Sequence, residues 1–138
     1  MMPEDKSREL LDGLHRMLKE RLGPLGIGFI LFLNLDGRIG YIASSRRDGA
    51  IRVLEEWRAR QAVASMVTKA LGGRAFVVDE YPRLSEAAGE LADALHASAE
   101  TDVALFLFSH ASKPFAWALR GERASEVVRR WLDVRGSN

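Results

Sequence analysis

Ser44-Ser45-Arg46-Arg47 is the stretch of this sequence best equipped for chemistry, with two hydroxyls and two guanidinium groups side by side just ahead of a helical pattern. A helix start leaves backbone N–H groups without intrahelical partners and carries the positive end of the helix dipole. Hydroxyls and arginines gathered there are a physical recipe for holding a phosphate or a carboxylate. A matching corner recurs later, where Arg120 and Arg123 flank Gly121-Glu122. Together they define a candidate anion site of Ser44, Ser45, Arg46, Arg47 and Arg120. The plainer reading is an ordinary cap: Ser45 accepts from the helix, Asp48 three residues on favours its positive end, and the arginines are solvated.

The other reactive residue types do not converge. The histidines are His15, His96 and His110, and none stands at ligand spacing from another histidine or a carboxylate, so no metal site is expected. His15 and His96 follow matching leucines, Leu14 and Leu95; a twofold relation would bring them near an axis, but half-buried packing is the simpler expectation. Ser109-His110 and Ser112 fall in a turn, and neighbours in sequence are not a triad, which is assembled in space. Asp79-Glu80 would point to opposite faces of a strand. The glycines of Gly23-Pro24-Leu25-Gly26 and Gly72-Gly73 precede strands rather than helices, the wrong order for a phosphate-cradling loop. No cysteine is present, which removes thiolate ligands, thiol nucleophiles and disulfides together. No catalytic residue, metal or cofactor is assigned, and the chain is expected not to be an enzyme.

The elements that would position these residues follow from apolar spacing. Leu10, Leu11, Leu14, Met17, Leu18 and Leu22 recur at three and four, one stripe of a helix. Gly23-Pro24-Leu25-Gly26 ends it. Residues 27–33 form a continuous apolar run, short enough for a strand buried on both faces. Asn34-Leu35-Asp36-Gly37 is a tight reversal into a returning strand over 39–43. Ala50, Val53, Leu54 and Trp57 mark the next helix, whose stripe breaks across Arg58-Ala59-Arg60-Gln61 and resumes out of phase at Val63, Met66, Val67 and Ala70, predicting a bend or a change of partner. Gly72-Gly73 stops it, and Ala75-Phe76-Val77-Val78 is a short strand. Pro82 opens a third helix on Leu84, Ala88, Leu91 and Leu95. Strands over 103–108 and 115–119 and a helix on Ala124, Val127, Val128 and Trp131 complete the chain. Trp57 and Trp131 are expected to anchor the core, although tryptophan at a helix edge also dominates partner interfaces.

The order of elements repeats. Gly28 to Asn34 sets beside Val103 to Ser109, pairing Phe29 with Ala104, and the interval from Tyr41 to Trp57 equals that from Phe115 to Trp131, with Ala50, Val53 and Leu54 matching Ala124, Val127 and Val128. The fold expected is therefore α+β in a single domain over 1–138, with an internal αββα repeat (halves about 7–71 and 75–136) forming a two-layer sandwich of about five strands, mainly antiparallel, and four helices. A profilin-like or GAF-like sandwich is the competing architecture.

Tyr41, Arg47, Asp48, Ile51, Leu54, Glu56 and Trp57 follow an apolar strand in an order that resembles a group of small proteins of tailed phages and prophage-like regions. In that group the strand leads to a Tyr-x-Ser-Asn-x-x-Arg-acidic-acidic run and a helix ending in an acidic-aromatic pair. The resemblance covers about residues 28–60, and this chain departs from it with Ala43-Ser44 in place of Ser-Asn and Gly49 in place of the second acid. It implies association with a phage or mobile element and carries no activity.

Charge narrows the partners. With 20 Lys+Arg against 19 Asp+Glu the formal charge is +1, so no global field draws the chain to nucleic acid or lipid. The charged start, Met1-Met2-Pro3-Glu4-Asp5-Lys6, lacks an apolar signal core, and no apolar run approaches the ~20 residues that a bilayer requires. The expectation is a cytoplasmic interaction or structural protein, not a membrane protein, with a protein partner or self-association. Binding of a small anion, a nucleotide or nucleic-acid phosphate through the corner arginines is the alternative, with nucleic acid the less favoured partner.

Overall fold

The computed structural model describes residues 4–44, 46–70, 82–109 and 115–135. Helix α1 (Glu4–Leu22) ends in a 3₁₀ turn over Gly23–Leu25 and is followed by strands β1 (Ile27–Leu35) and β2 (Arg38–Ala43) and helix α2 (Arg47–Ala70). Helix α3 (Pro82–Ala99), strands β3 (Val103–Ser109) and β4 (Phe115–Arg120) and helix α4 (Ala124–Arg135) then repeat the order. The expected strand at Ala75-Phe76-Val77-Val78 lies outside the described residues, and the described sheet has four strands in the order β2-β1-β3-β4, each pair antiparallel.

Asp36 and Gly37 both take positive φ, 51° and 86°, which is the backbone that a two-residue hairpin turn between β1 and β2 requires. Asn34 and Gly37 fasten it, the Asn34 carboxamide oxygen accepting from the Gly37 N–H at 3.0 Å.

The layering departs from expectation. One core cluster gathers Phe29, Leu31 and Leu33 of β1 and Val103, Leu105 and Leu107 of β3 with Leu18 of α1 and Ala88, Ala92 and Leu95 of α3. The alternate residues, Ile30, Phe32, Ala104 and Phe106, face the other way against Ala50, Leu54 and Trp57 of α2 and Val127, Val128 and Trp131 of α4. The molecule is thus a three-layer helix–sheet–helix sandwich, not a two-layer one. The reason is in the strands themselves: β1 and β3 are apolar at successive positions, so both faces need cover, and helices on one side supply only half of it.

Two aromatic pairs tie these layers. Trp57 on α2 meets Phe106 on β3 edge-on, with ring centroids 5.5 Å apart at 82°. Trp131 on α4 meets Phe32 on β1 at 5.4 Å and 68°, and also stacks on Tyr41 of β2 at 4.6 Å. Both tryptophans are core anchors as expected, and fully burying such a ring contributes about 1.5–3 kcal/mol.

α2 is unbroken from Arg47 to Ala70. Of the second stripe expected on it, Val63 is 59% and Met66 71% exposed. Its inner half is held by Arg58, which pairs with Asp133 of α4 at 3.0 Å, and by the Arg60 guanidinium, 4.6 Å from the centroid of the Phe115 ring.

The sequence alignment of the halves also needs a one-residue correction. Phe29 and Ala104 belong to opposite faces of the sheet. Shifting the alignment to the interval that separates Trp57 from Trp131 matches Phe29 with Val103, Ile30 with Ala104 and Phe32 with Phe106, each pair on a common face. The match of Tyr41 with Phe115 fails differently: Phe32 pairs with Tyr41, whereas Phe106 pairs with Trp117.

Candidate functional site

The strand-to-helix corner after β2 is built by continuation of the ladder. The Ser44 N–H donates to the Phe29 carbonyl at 3.0 Å, one more rung after Ala43. Its hydroxyl oxygen then accepts from the Phe29 N–H at 2.8 Å. Phe29 is fully buried, so this N–H has no access to water, and the Ser44 hydroxyl is what satisfies it. Gly28 shapes the same spot, since a Cβ there would run into the Phe108 ring and lie 2.9 Å from the Ser44 hydroxyl. His15 of α1 braces the corner from the far side, with Nε2 3.1 Å from the Ala43 carbonyl and its ring edge-on to Phe29 at 5.7 Å.

Of the other expected anion ligands, Arg46 is exposed ahead of α2, the Arg47 backbone begins α2, and Ser45 lies outside the described residues. Arg120 is not brought to them. It ends β4 on the opposite edge of the sheet, level with Val103 and Leu33, whereas Ser44 follows Ala43, level with Ile30. Ser44 itself is level with Phe29, so three strand spacings of about 4.8 Å across and four residues of about 3.4 Å along separate the two corners by roughly 20 Å. Arg120 is engaged where it stands, pairing through Nε with Asp93 of α3 and donating from Nη1 to the Leu119 carbonyl at 3.0 Å. The two arginine corners are therefore diagonal, and no joint anion site is assembled from them.

A second polar cluster, which the sequence reading did not single out, sits at the diagonally opposite end of β1. Asn34 donates from its side-chain amide to the Asp102 carboxylate at 2.9 Å, and its backbone N–H donates to the Asp102 carbonyl at 3.1 Å. The other carboxylate oxygen of Asp102 accepts from the Arg123 N–H at 3.2 Å, ahead of α4. The Thr101 hydroxyl donates to the Asn34 carbonyl, and His96 Nδ1 lies 2.7 Å from the Thr101 carbonyl. Gly121, at φ 97°, passes so close to Asp102 that any Cβ there would collide with its carboxylate. One acid thus joins the β1–β2 hairpin, the α3–β3 connection and the start of α4. The only sequence signal was Asn34 in a turn; Asp102 acquires its role through β1–β3 pairing, which has no local signature.

An open cleft of about 380 Å³ adjoins this cluster, lined by residues including Leu10, Asn34, Asp36, Ser98, Glu100 and Thr101. Asp36 and Glu100 both have left-handed backbones there, and both are accounted for by local structure: Asp36 makes the hairpin turn, and Glu100 caps α3 with its N–H 3.0 Å from the His96 carbonyl. The polar groups of Asn34 and Thr101 are spent on protein partners. Among the described residues no group of three His, Cys, Asp or Glu side chains could hold a metal ion. His15 and His96 do not meet at a twofold but brace opposite ends of β1. No described helix is long and apolar enough to cross a membrane.

Comparison of the chain with family models, with curated proteins and with solved structures gives no match.

Proposed function

We propose that this chain is a non-enzymatic interaction protein, of a phage or other mobile element, which acts in the cytoplasm by presenting the outer half of α2 to a protein partner. The observation that carries this reading is the exposure of Val63 and Met66, at 59% and 71%, beyond the point where Trp57 fixes the helix to the core. Val134 of α4, 65% exposed, adds to the apolar surface that the described residues leave open to solvent. Exposed apolar side chains on a helix that continues past its footing suit an apolar protein surface. The mobile-element association is supported by the resemblance over about residues 28–60, and the cytoplasmic setting by the lack of cysteine.

The chain also reads as two αββα units of common origin fused into one polypeptide. The Trp57–Phe106 and Trp131–Phe32 contacts support this, being near-identical in distance, with the interval from Trp57 to Trp131 equal to that from Phe32 to Phe106. The deciding experiment is an affinity capture from host lysate with the protein and with the Val63→Asp, Met66→Asp variant. The partner should be retained by the first and lost by the second, with both showing the same circular dichroism. Equal capture by both would sink the role of α2.

A further inference from the structure

β4 ends the sheet, and among the described residues no strand lies along its outer edge. The direction of its main-chain groups follows from the ladder. The Asn34 N–H donates to the Asp102 carbonyl, so by the alternation of an antiparallel pair Phe32 with Ala104 and Ile30 with Phe106 exchange bonds between β1 and β3. Leu105 and Leu107 then turn to β4 and bond Ala118 and Ala116. That leaves Phe115, Trp117 and Leu119 with N–H and C=O groups aimed away from β3. The Leu119 carbonyl agrees with this direction, since Nη1 of Arg120 donates to it at 3.0 Å. The side chains of the same three residues lie on the face that α2 and α4 cover.

On that face α2 overhangs the edge. It starts after β2, crosses to the second half of the chain where Trp57 meets Phe106 of β3, and passes β4 where Arg60 lies over Phe115. The stretch from Gln61 to Ala70 remains, and at about 1.5 Å per residue it runs on for about 15 Å, or about three strand spacings. Val63 and Met66 are exposed on this overhang, and Trp117 and Leu119 of β4 are only partly buried. Beyond Glu56, α2 carries Arg58, Arg60 and Lys69 and no carboxylate. A second copy would bring charge of the same sign, because its β2 begins at Arg38 and its β4 ends at Arg120. We propose that the edge of β4 and the overhang of α2 form a ledge that receives an extended segment of a protein partner as an added antiparallel strand, apolar where it faces α2 and acidic at its ends. This deepens the interaction role given above, on whose α2 surface it rests, by naming the form in which the partner is held.

Hydrogen exchange by NMR on the full-length chain is the first test. The Ala116, Ala118 and Arg120 amides should be protected, and those of Trp117 and Leu119 should exchange freely. Slow exchange at Trp117 and Leu119 would mean that the chain itself or a second copy already fills the edge, and overturns the proposal. The second test is titration with the synthetic peptide Asp-Val-Thr-Val-Thr-Val-Asp, which should shift and protect the Trp117 and Leu119 amides. In an antiparallel strand whose valines face α2, the valine amides are the ones that bond β4. N-methylation of the valine amides should therefore weaken binding about tenfold or more, and N-methylation of the threonine amides should leave it unchanged. Equal effects of the two modifications, tighter binding with Lys in place of the two Asp, or no shift at β4 overturns the proposal. If host-partner capture depends on Val63 and Met66 while the peptide leaves β4 unshifted, this inference fails and the role of α2 stands, so the two readings fail separately.

Discussion

Phe32 and Ala104 face each other directly across the β1–β3 ladder, a ring opposite a methyl group, on the side of the sheet that α2 and α4 cover. One pair along, on the same face, Ile30 faces Phe106, so each rung combines one ring with a smaller side chain. Ala104 is 1% exposed, and extra carbon there has nowhere to go but against the ring. Ala104→Ile should destabilise by about 1–3 kcal/mol, read as a lower urea midpoint with an unchanged slope. An unchanged midpoint would mean that the space over Phe32 is open.

The crossed tryptophans give a sharper test. Trp57→Ala and Phe106→Ala should each cost about 3–5 kcal/mol in thermal or denaturant unfolding. The double variant should recover about 0.5–1.5 kcal/mol as coupling, because the rings touch. Trp57 paired with Phe29, whose ring lies on the opposite face, should show none. Equal coupling in the two cycles would contradict the helix crossing.

Ser44 separates a structural corner from an anion site. Ser44→Ala leaves the buried Phe29 N–H without its acceptor and should cost about 1–3 kcal/mol. Arg46→Ala, at an exposed position, should stay within about 0.5 kcal/mol of the parent. If titration with inorganic phosphate, or with nucleic acid at low salt, gives binding that Arg46→Ala weakens and added salt abolishes, the anion-binding alternative gains over the interaction role.

Asp102 holds three connections, and its replacement should be felt at all of them. Asp102→Ala removes the acceptor of the Asn34 amide and the Arg123 N–H, a loss of about 2–4 kcal/mol for bonds to a charged group. Gly121→Ala should be of similar size, since it adds a strained backbone of about 1–3 kcal/mol to a collision with the same carboxylate. Hydrogen exchange should locate the damage in the β1–β2 hairpin and the first turn of α4; protection lost only near the site of change would remove the clamp role.

Much of the architecture was legible in the residues. The three-and-four spacing of α1, the stop at Gly23-Pro24, the turn at Asp36-Gly37 and Pro82 as the first residue of α3 are set by local backbone preference, which neighbours in sequence determine. The αββα order and the burial of both tryptophans came from the same source. The short strand at 75–78 lies outside the described residues. The spacing of Val63 and Met66 marks an apolar stripe but does not determine whether anything covers it.

What the sequence could not determine was which face each residue takes and which distant residues meet. In a strand with one wet face the alternation of polar and apolar residues fixes register, but β1 over 27–33 and β3 over 103–108 carry no polar side chain, so a slip of one residue leaves the pattern unchanged while moving every side chain across the sheet. That is why Phe29 was matched with Ala104 rather than Val103, and why two layers were expected where there are three. The Ser44 hydroxyl facing Phe29, the diagonal separation of Arg120 from Arg46, and the clamp at Asp102 depend on the order β2-β1-β3-β4. Strand order is a property of long-range pairing, in which main-chain hydrogen bonds join segments far apart along the chain, and only the folded structure fixes it.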